Sequence, residues 1–310
     1  MMPGLTFHAS FEQLPLYQQH LGPSHPIPEV LWHYTTGEGL AGIVQGGELH
    51  ASEIRFMNDP NEVRHGSAAF KDALDRATHT QAESIGVRRL KTLFIPSTPN
   101  EPSSCAVACF CEKGDLLSQW RGYGQFGKGY AIGFDGRKVG AIVRDKSSHR
   151  GNFGPVVYDE SVQRLLADEM LLEVKRIAED KGLESGNDGA ATLGLDFYLY
   201  LRCLVSTFFF KSSGFEEEKE WRGTCPMFPA FTDGGHPGPE SNCKFRVRNG
   251  LIVPYYPIPL RDDQGNLPIR EVMVGPGIEP SLADISVKWL FRVHNKGEVP
   301  IIRHSGLALR

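Results

Sequence analysis

Short strand-like and helix-like segments alternate along this chain, and this interleaving limits the folds that it can adopt. Strand patterns rich in aromatic and β-branched residues appear at 31–36 and recur in CAVACFC, GYAIGFD, KEWRGTC and REVMVGP. Apolar residues at helical spacing predict helices near 61–78 and 162–181. No repeat or low-complexity tract interrupts the series, so we expect an α+β fold with mixed, mostly antiparallel sheets and flanking helices.

The same pattern predicts the domain organisation. Residues 1–29 are rich in Pro, Gln and His and predict an extended N-terminal arm, while residues 30–310 are expected to form a single α+β domain. Thr35 and Glu38 have the spacing of a capping box and predict the start of a helix. VVYDE at 156–160 predicts a further strand.

Composition excludes several classes of protein. The chain has 310 residues, 40% hydrophobic, with a net charge of −4, which excludes a disordered, collagen-like or disulfide-framework protein. The acidic balance argues against sequence-independent binding of nucleic acid. Because no signal peptide and no apolar run of about 18 residues is visible, we expect a cytoplasmic protein without a membrane partner. The cysteines lack zinc-ligand spacing, so no metal site is expected.

The first chemically suggestive cluster is the WHYT segment, where a strand leads into a helix. His33 can donate a hydrogen bond from one ring nitrogen and accept one at the other. The adjacent helix N-terminus attracts anions such as phosphates. The segment is thus a candidate ligand site, and the alternative is a structural histidine held by the helix cap.

The second cluster, SQWRGYG, connects two predicted strands. Trp120 and Tyr123 offer ring faces on which a planar ligand can stack, and Arg121 offers a forked donor for phosphate or carboxylate. The glycines allow close approach of the backbone to a ligand. The alternative is a loop that its aromatic residues anchor to the core.

The third cluster is the acidic run FEEEKEWR, which leads directly into a predicted strand. Alternation along the strand places Glu218, Glu220 and Arg222 on one face. Two carboxylates there can hold a ribose hydroxyl and orient a nucleophile, although their spacing does not assign acid and base roles. The alternative is a solvated charged surface.

The order of these clusters resembles a bacterial family of unknown function with an H-Y-T opening, an N-D-P turn followed by Glu, a W-x-x-Y segment and a late E-x-E-W-R strand. The matching segments are WHYTTGEGLAGIVQGGELHASEIRFMNDPNEVRHG, ACFCEKGDLLSQWRGYGQFGKGYAIGFD, FEEEKEWR and REVMVGP. The resemblance extends over residues 30–305.

The H-Y-T opening and the late glutamates also resemble the ADP-ribosyltransferase superfamily. The resemblance implies an ADP-ribosyltransferase-like core that consumes NAD as substrate. His33 would contact the adenosine-side ribose, and Tyr123, with Ser118 or Trp120, would lie beside the nicotinamide. Glu220 would bind the nicotinamide ribose and stabilise the transition state, while Glu218 would face the acceptor. The middle segment departs from the superfamily patterns, so the choice between Tyr123 and Trp120 stays open.

The remaining residues of the implied NAD site are Tyr34, Thr35, Ser52, Arg55 and Arg121. Either arginine, or the backbone amides that follow His33, would hold the pyrophosphate. The acceptor would be a protein side chain or a small molecule, with nucleic acid as a further candidate. Such an enzyme would act as a toxin or phage-defence effector. For this reading to hold, the three clusters must meet in one pocket.

Two other functions stay open. One is a nucleotide-binding or interaction module on the same fold that has lost its chemistry. The other is a hydrolase or nuclease that uses Glu218, Glu220, Asp59 and a divalent metal ion. Sensitivity of the activity to chelation separates this last function from the transferase, whose chemistry needs no metal.

Overall fold

The structure is a computed structural model. It describes residues 13–22, 25–57, 62–78, 85–94, 105–145, 151–180, 199–200, 202–226, 243–248, 250–296 and 298–308. The chain divides into two compact units. The first comprises Met1–His25, Met57–Ser103 and Gly154–Glu216, and the second comprises Pro26–Phe56, Ser104–Phe153 and Glu217–Arg310.

The helices and strands follow one another in an interleaved order. The helices are α1 (Pro15–His20), α2 (Gly37–Gly46), α3 (Glu62–Thr78), α4 (Ile85–Phe94), α5 (Leu117–Gly122), α6 (Gly136–Asp145), α7 (Glu160–Asp180) and α8 (Pro280–His294). The strands are β1 (Val30–Thr35), β2 (Glu48–Glu53), β3 (Cys105–Cys111), β4 (Tyr130–Asp135), β5 (Asn152–Pro155), β6 (Glu220–Pro226), β7 (Lys244–Arg248), β8 (Leu251–Pro259), β9 (Ile269–Val274) and β10 (Ile301–His304).

The first unit is mainly helical where the structure describes it, and α7 provides its main apolar face. Four apolar residues are buried on this helix: Leu166, Met170, Val174 and Ile177. Their spacing of three or four residues, about one helical turn, places them on one face. Leu165 of the same helix is 53% exposed, although it is apolar. The helix packs against α3 and α4.

The second unit contains the sheet. Among the described residues, ten strands form one sheet in the order β10-β9-β4-β1-β3-β2-β8-β7, with β6 pairing with both β3 and β5. The pairs that β3 makes with β1, β2 and β6 are antiparallel, whereas β10 runs parallel to β9. The predicted α+β class and the large, mostly antiparallel sheet are confirmed.

The main core of this unit lies on one face of the sheet. Strand residues such as Phe110, Ile132 and Trp221 are buried there together with Val287 and Phe291 of α8. A smaller cluster on the opposite face contains Trp32, Tyr34, Cys111 and Trp120. The two clusters reflect the alternation of side chains along each strand.

The start of α2 differs by one residue from the prediction. Thr36, rather than Thr35, is the N-cap, and its hydroxyl accepts a hydrogen bond from the Gly39 N–H at 3.0 Å. Thr35 is the last residue of β1. A Cβ on Gly39 would lie 1.9 Å from the Thr35 hydroxyl, so the glycine makes room for the turn from strand to helix.

Two further predictions fail for identifiable reasons. Residues 156–160 do not form a strand, because Asp159 accepts hydrogen bonds from the Ser161 and Val162 N–H groups and thereby starts α7. The N-terminal segment is not extended throughout, since Pro15–His20 form α1. The Glu169 carboxylate accepts from the N–H groups of Leu16 and Tyr17 at the start of that helix. The boundary at residue 30 stays a prediction.

No helix in the described part of the chain is long and apolar enough to cross a membrane.

Candidate functional site

Strand β3 shares one of its edges between two partners. β1 pairs with it at Cys111 and β2 pairs with it at Val107, while the stretch between these points has ladder partners only in β6 within the described sheet. His33 on β1 fills this interruption, with its Nδ1 2.9 Å from the Cys109 carbonyl oxygen. The split explains a histidine at this position, because buried backbone carbonyls are nearly always hydrogen-bonded.

A cavity of about 330 Å³, counting the space at its mouth, opens beside this split. The predicted residues that line it are His33, Tyr34, Tyr123, Glu218 and Glu220, and Trp32, Cys109, Cys111 and Gln119 complete the wall. The three clusters singled out in the sequence therefore each contribute to one pocket.

Glu220 forms a buried ion pair at the wall of the cavity. Arg222 donates from Nε to Oε1 and from Nη2 to Oε2 of this carboxylate, both at 2.8 Å. The side chains are 5% and 1% exposed. A bidentate contact of this kind fixes the plane of the carboxylate.

Glu218 reaches the same cavity by a different backbone path. It ends a 3₁₀ turn at Ser213–Glu218, and the next residue, Lys219, has a φ of +41°. Left-handed backbone at a non-glycine residue costs roughly 1–3 kcal/mol and is concentrated at ligand sites. Glu218 and Glu220 both line the cavity, as alternation along a strand predicts. Glu218 is not on the strand, however, and reaches the cavity through this turn.

His33 is held as a neutral ring with a defined tautomer. Burial lowers its pKa below the ordinary 6.5; the hydrogen bond to Cys109 partly opposes this effect, and the charge of Arg246 lowers the pKa further. Because a carbonyl only accepts, Nδ1 carries the hydrogen and Nε2 has a free lone pair. His33 therefore presents an acceptor, suited to a ligand hydroxyl.

The protein is expected to lose stability as the pH falls below about 6.5, partly because of this histidine. The folded state takes up the His33 proton at a lower pH than the unfolded state, so acid favours unfolding, by at most about 1.4 kcal/mol per pH unit for one group. His33→Gln should flatten the dependence between pH 7.5 and 5.5. Urea unfolding at several pH values measures the slope, and an equal slope in the variant would contradict the prediction.

Trp120 and Tyr123 have different environments, which bears on the open choice between them. Trp120 is completely buried, donates from Nε1 to Asp115 at 2.8 Å and packs edge-on against Tyr34. It has no ring face open to a ligand. Tyr123 is half-buried and lines the cavity, so it is the better candidate for stacking.

Two residues of the wall have supporting hydrogen bonds. The Tyr34 hydroxyl donates to the Lys113 carbonyl oxygen and accepts from the Leu116 N–H, both at 2.9 Å, so it holds the segment that leads into α5. Burial raises the pKa of Tyr34 far above its ordinary value. Gln119 is 4% exposed, and its Oε1 accepts from the Cys111 thiol at 3.3 Å. A buried amide beside two aromatic residues is the signal that could have identified Gln119 from the sequence.

The structure does not bring the other predicted residues into the cavity wall. Thr35 ends β1, and Ser118 and Arg121 are exposed on α5. Arg55 donates from Nε to the buried Glu53 carboxylate at 2.8 Å, which compensates its charge. Ser52 is buried on β2, where its hydroxyl accepts from Arg246 Nη2 at 2.8 Å.

The N-D-P turn at 58–60, including Asp59, lies outside the described residues. Within the described ranges, no group of three or more His, Cys, Asp and Glu side chains is arranged to hold a metal ion.

Comparisons with known proteins identify one family. A family model described as "Protein of unknown function (DUF2971)" matches residues 119–223, which include Gln119, Tyr123, Glu218 and Glu220. No curated protein and no solved structure matches the chain. The comparisons give no support for a relationship to ADP-ribosyltransferases or for a toxin or phage-defence role. The match supports a domain of unknown function over residues 119–223, whereas the comparisons give no support for the wider resemblance over residues 30–305 or for the motifs on which it was based.

Proposed function

We propose that the cavity is the active site of an NAD-dependent, ADP-ribosyltransferase-like enzyme. In this proposal the enzyme cleaves the bond between nicotinamide and ribose and transfers ADP-ribose to a protein or small-molecule acceptor. The observation that carries the proposal is the convergence of His33, Tyr123, Glu218 and Glu220, from three separate parts of the sequence, on one cavity. In this proposal the cavity takes the nicotinamide and its ribose, because its wall contains the carboxylates and the aromatic ring that these two groups need.

The chemistry requires negative charge close to the ribose. When the C–N bond breaks, its electron pair leaves with the nicotinamide nitrogen, and positive charge develops on the ribose. Glu220, held by Arg222, supplies a fixed carboxylate that stabilises this charge more than it stabilises the neutral sugar. Because Arg222 compensates part of the charge of Glu220, the half-exposed Glu218 adds to the field and can take the proton that the acceptor loses when it bonds to the ribose carbon.

Two other residues orient the substrate in this scheme. The Nε2 lone pair of the neutral His33 accepts a hydrogen bond from a ribose hydroxyl. Tyr123 provides a ring face for the nicotinamide. Both contacts position the ribose before the bond breaks, which is the contribution expected of groups that do not themselves react.

The test is nicotinamide release from NAD, measured with and without a cell lysate as the source of acceptor. We expect the double variant Glu220→Gln/Arg222→Met to release nicotinamide about 10²–10³-fold more slowly than wild type, which is the usual effect of removing one electrostatic stabiliser. The double variant is used because the single one removes the bidentate carboxylate partner of the buried Arg222.

Glu218→Gln should lower transfer to the acceptor more than hydrolysis of NAD. Its matched control is Glu217→Gln, an exposed residue of the same acidic run that is absent from the cavity wall, and this control should keep the wild-type rate. Saturable NAD binding without release would instead indicate a binding module. The absence of both NAD binding and nicotinamide release would overturn the proposal.

A further inference from the structure

Arg246 on β7 is a cation without a carboxylate partner among the residues that the structure describes. Its Nη2 donates to the Ser52 hydroxyl at 2.8 Å, and its guanidinium carbon lies 5.6 Å from the centre of the Tyr255 ring. Its Nε is buried and has no hydrogen-bond partner. A half-buried guanidinium that is held in place but not neutralised is a typical anion-binding group.

The strand register places Arg246 on the face of the sheet that carries the cavity. Ser52 lies opposite both Val107 of β3 and Tyr255 of β8, and Tyr255 lies opposite Lys244. Directly opposed residues share a face, as do residues two apart on one strand. Arg246 therefore shares a face with Ser52.

The same rule connects Ser52 with the cavity wall. Cys109 and Cys111 follow Val107 at steps of two residues along β3, so all three lie on the same face. Cys111 lies opposite Glu220 of the cavity wall. Each step of two residues advances about 7 Å along a strand. The Ser52 and Arg246 pair thus lies beside the cavity rather than in its wall, and the charge of Arg246 reaches His33, whose pKa it lowers.

We infer that Arg246, positioned by Ser52, forms a phosphate-binding subsite beside the cavity, and that this subsite takes the pyrophosphate of the dinucleotide whose nicotinamide ribose occupies the cavity. The inference rests on the proposed function and deepens it. The described residues that line the cavity include no lysine or arginine, so in this proposal the phosphates contact protein outside it. Of the two arginines predicted from the sequence for this role, Arg55 is compensated by Glu53 and Arg121 is exposed on α5 outside the cavity wall, whereas Arg246 has no carboxylate partner among the described residues.

The experiment compares the binding of four probes to wild type and variants: NAD, ADP-ribose, nicotinamide mononucleotide and nicotinamide riboside. Arg246→Gln should weaken binding of the three phosphate-containing probes about 10- to 100-fold, the range for a charge-assisted hydrogen-bonded contact, and leave the riboside unaffected. Ser52→Ala should weaken binding of the same three probes by a smaller factor and leave the riboside unaffected, because it removes the hydrogen bond that positions Arg246 but keeps the charge.

Lys244→Gln is the matched control. Lys244 lies on the same strand and the same face, but it is exposed and pairs with Glu48 at 3.1 Å, so its removal should leave the affinity for all four probes unchanged. In turnover, Arg246→Gln should raise the KM for NAD and preserve kcat at saturation. Equal NAD affinity in Arg246→Gln and wild type would overturn the inference.

The outcomes separate the subsite from the proposed function. If wild type releases nicotinamide but Arg246→Gln has an unchanged KM, the subsite is wrong and the function stands. If inorganic pyrophosphate binds wild type but not the variant, and NAD is not turned over, the phosphate site stands and the proposed function fails. A loss confined to transfer would mean that Arg246 binds an acceptor phosphate, which contradicts the inference.

Discussion

Glu220→Gln is expected to lower the free energy of unfolding by about 3–5 kcal/mol, the usual effect of removing one partner from a buried ion pair. The substitution keeps the shape of the side chain but leaves the positive charge of Arg222, which is 1% exposed, without its bidentate partner. Urea unfolding at neutral pH, followed by circular dichroism, measures the change.

The double variant Glu220→Gln/Arg222→Met provides the control for this prediction. It removes both charges, and replacing a buried pair by uncharged residues of similar volume is often nearly neutral. Its stability should therefore be closer to wild type than that of either single variant, with a coupling of several kcal/mol. A single variant that loses less than about 1 kcal/mol would show that water compensates the charge.

Trp120→Ala is expected to destabilise the protein by about 3–5 kcal/mol, as is typical for truncating a fully buried large aromatic residue. The substitution removes the edge contact with Tyr34, whose ring centre is 4.9 Å away. It also removes the donor to Asp115, a carboxylate that additionally accepts from Ser305 and from the Gly306 N–H. Thermal unfolding with a ligand-binding assay at low temperature separates stability from binding.

The contrasting variant is Tyr123→Ala. The half-buried Tyr123 lines the cavity, so its truncation should lower stability much less, while weakening the binding of nicotinamide-containing probes by losing a stacking surface. Wild-type affinity in Tyr123→Ala together with lost affinity in a folded Trp120→Phe variant would reverse the assignment of the stacking residue.

Part of the site could be predicted because its signals are local. His33, Tyr123, Glu218 and Glu220 stand out as costly residue types within or near recognisable strands, and all four line the cavity. Trp120 carries the same signal but is completely buried. Residue type alone does not distinguish the two aromatic residues, because burial depends on packing against Tyr34 from a distant strand.

The sequence did not show which arginines are paired with a carboxylate. The sequence gives no reason to treat Arg55 and Arg246 differently. In the structure, Arg55 pairs with the Glu53 carboxylate, whereas Arg246 donates to the Ser52 hydroxyl. The Arg55 pair is local, two residues apart. The environment of Arg246 depends on β7, β8 and β2 lying side by side, a register that joins residues 194 positions apart.

The sequence by itself determined the α+β class, the principal strands and helices, and the clusters that we propose as the site, because side-chain periods of 2 and 3.6 residues can be read from consecutive positions. Only the tertiary structure decided that β3 splits one edge between β1 and β2, that His33 bonds to the Cys109 carbonyl at this split, and that Tyr123 and Glu220 line one cavity. These features depend on strand register and burial between remote segments, for which consecutive positions contain no signal.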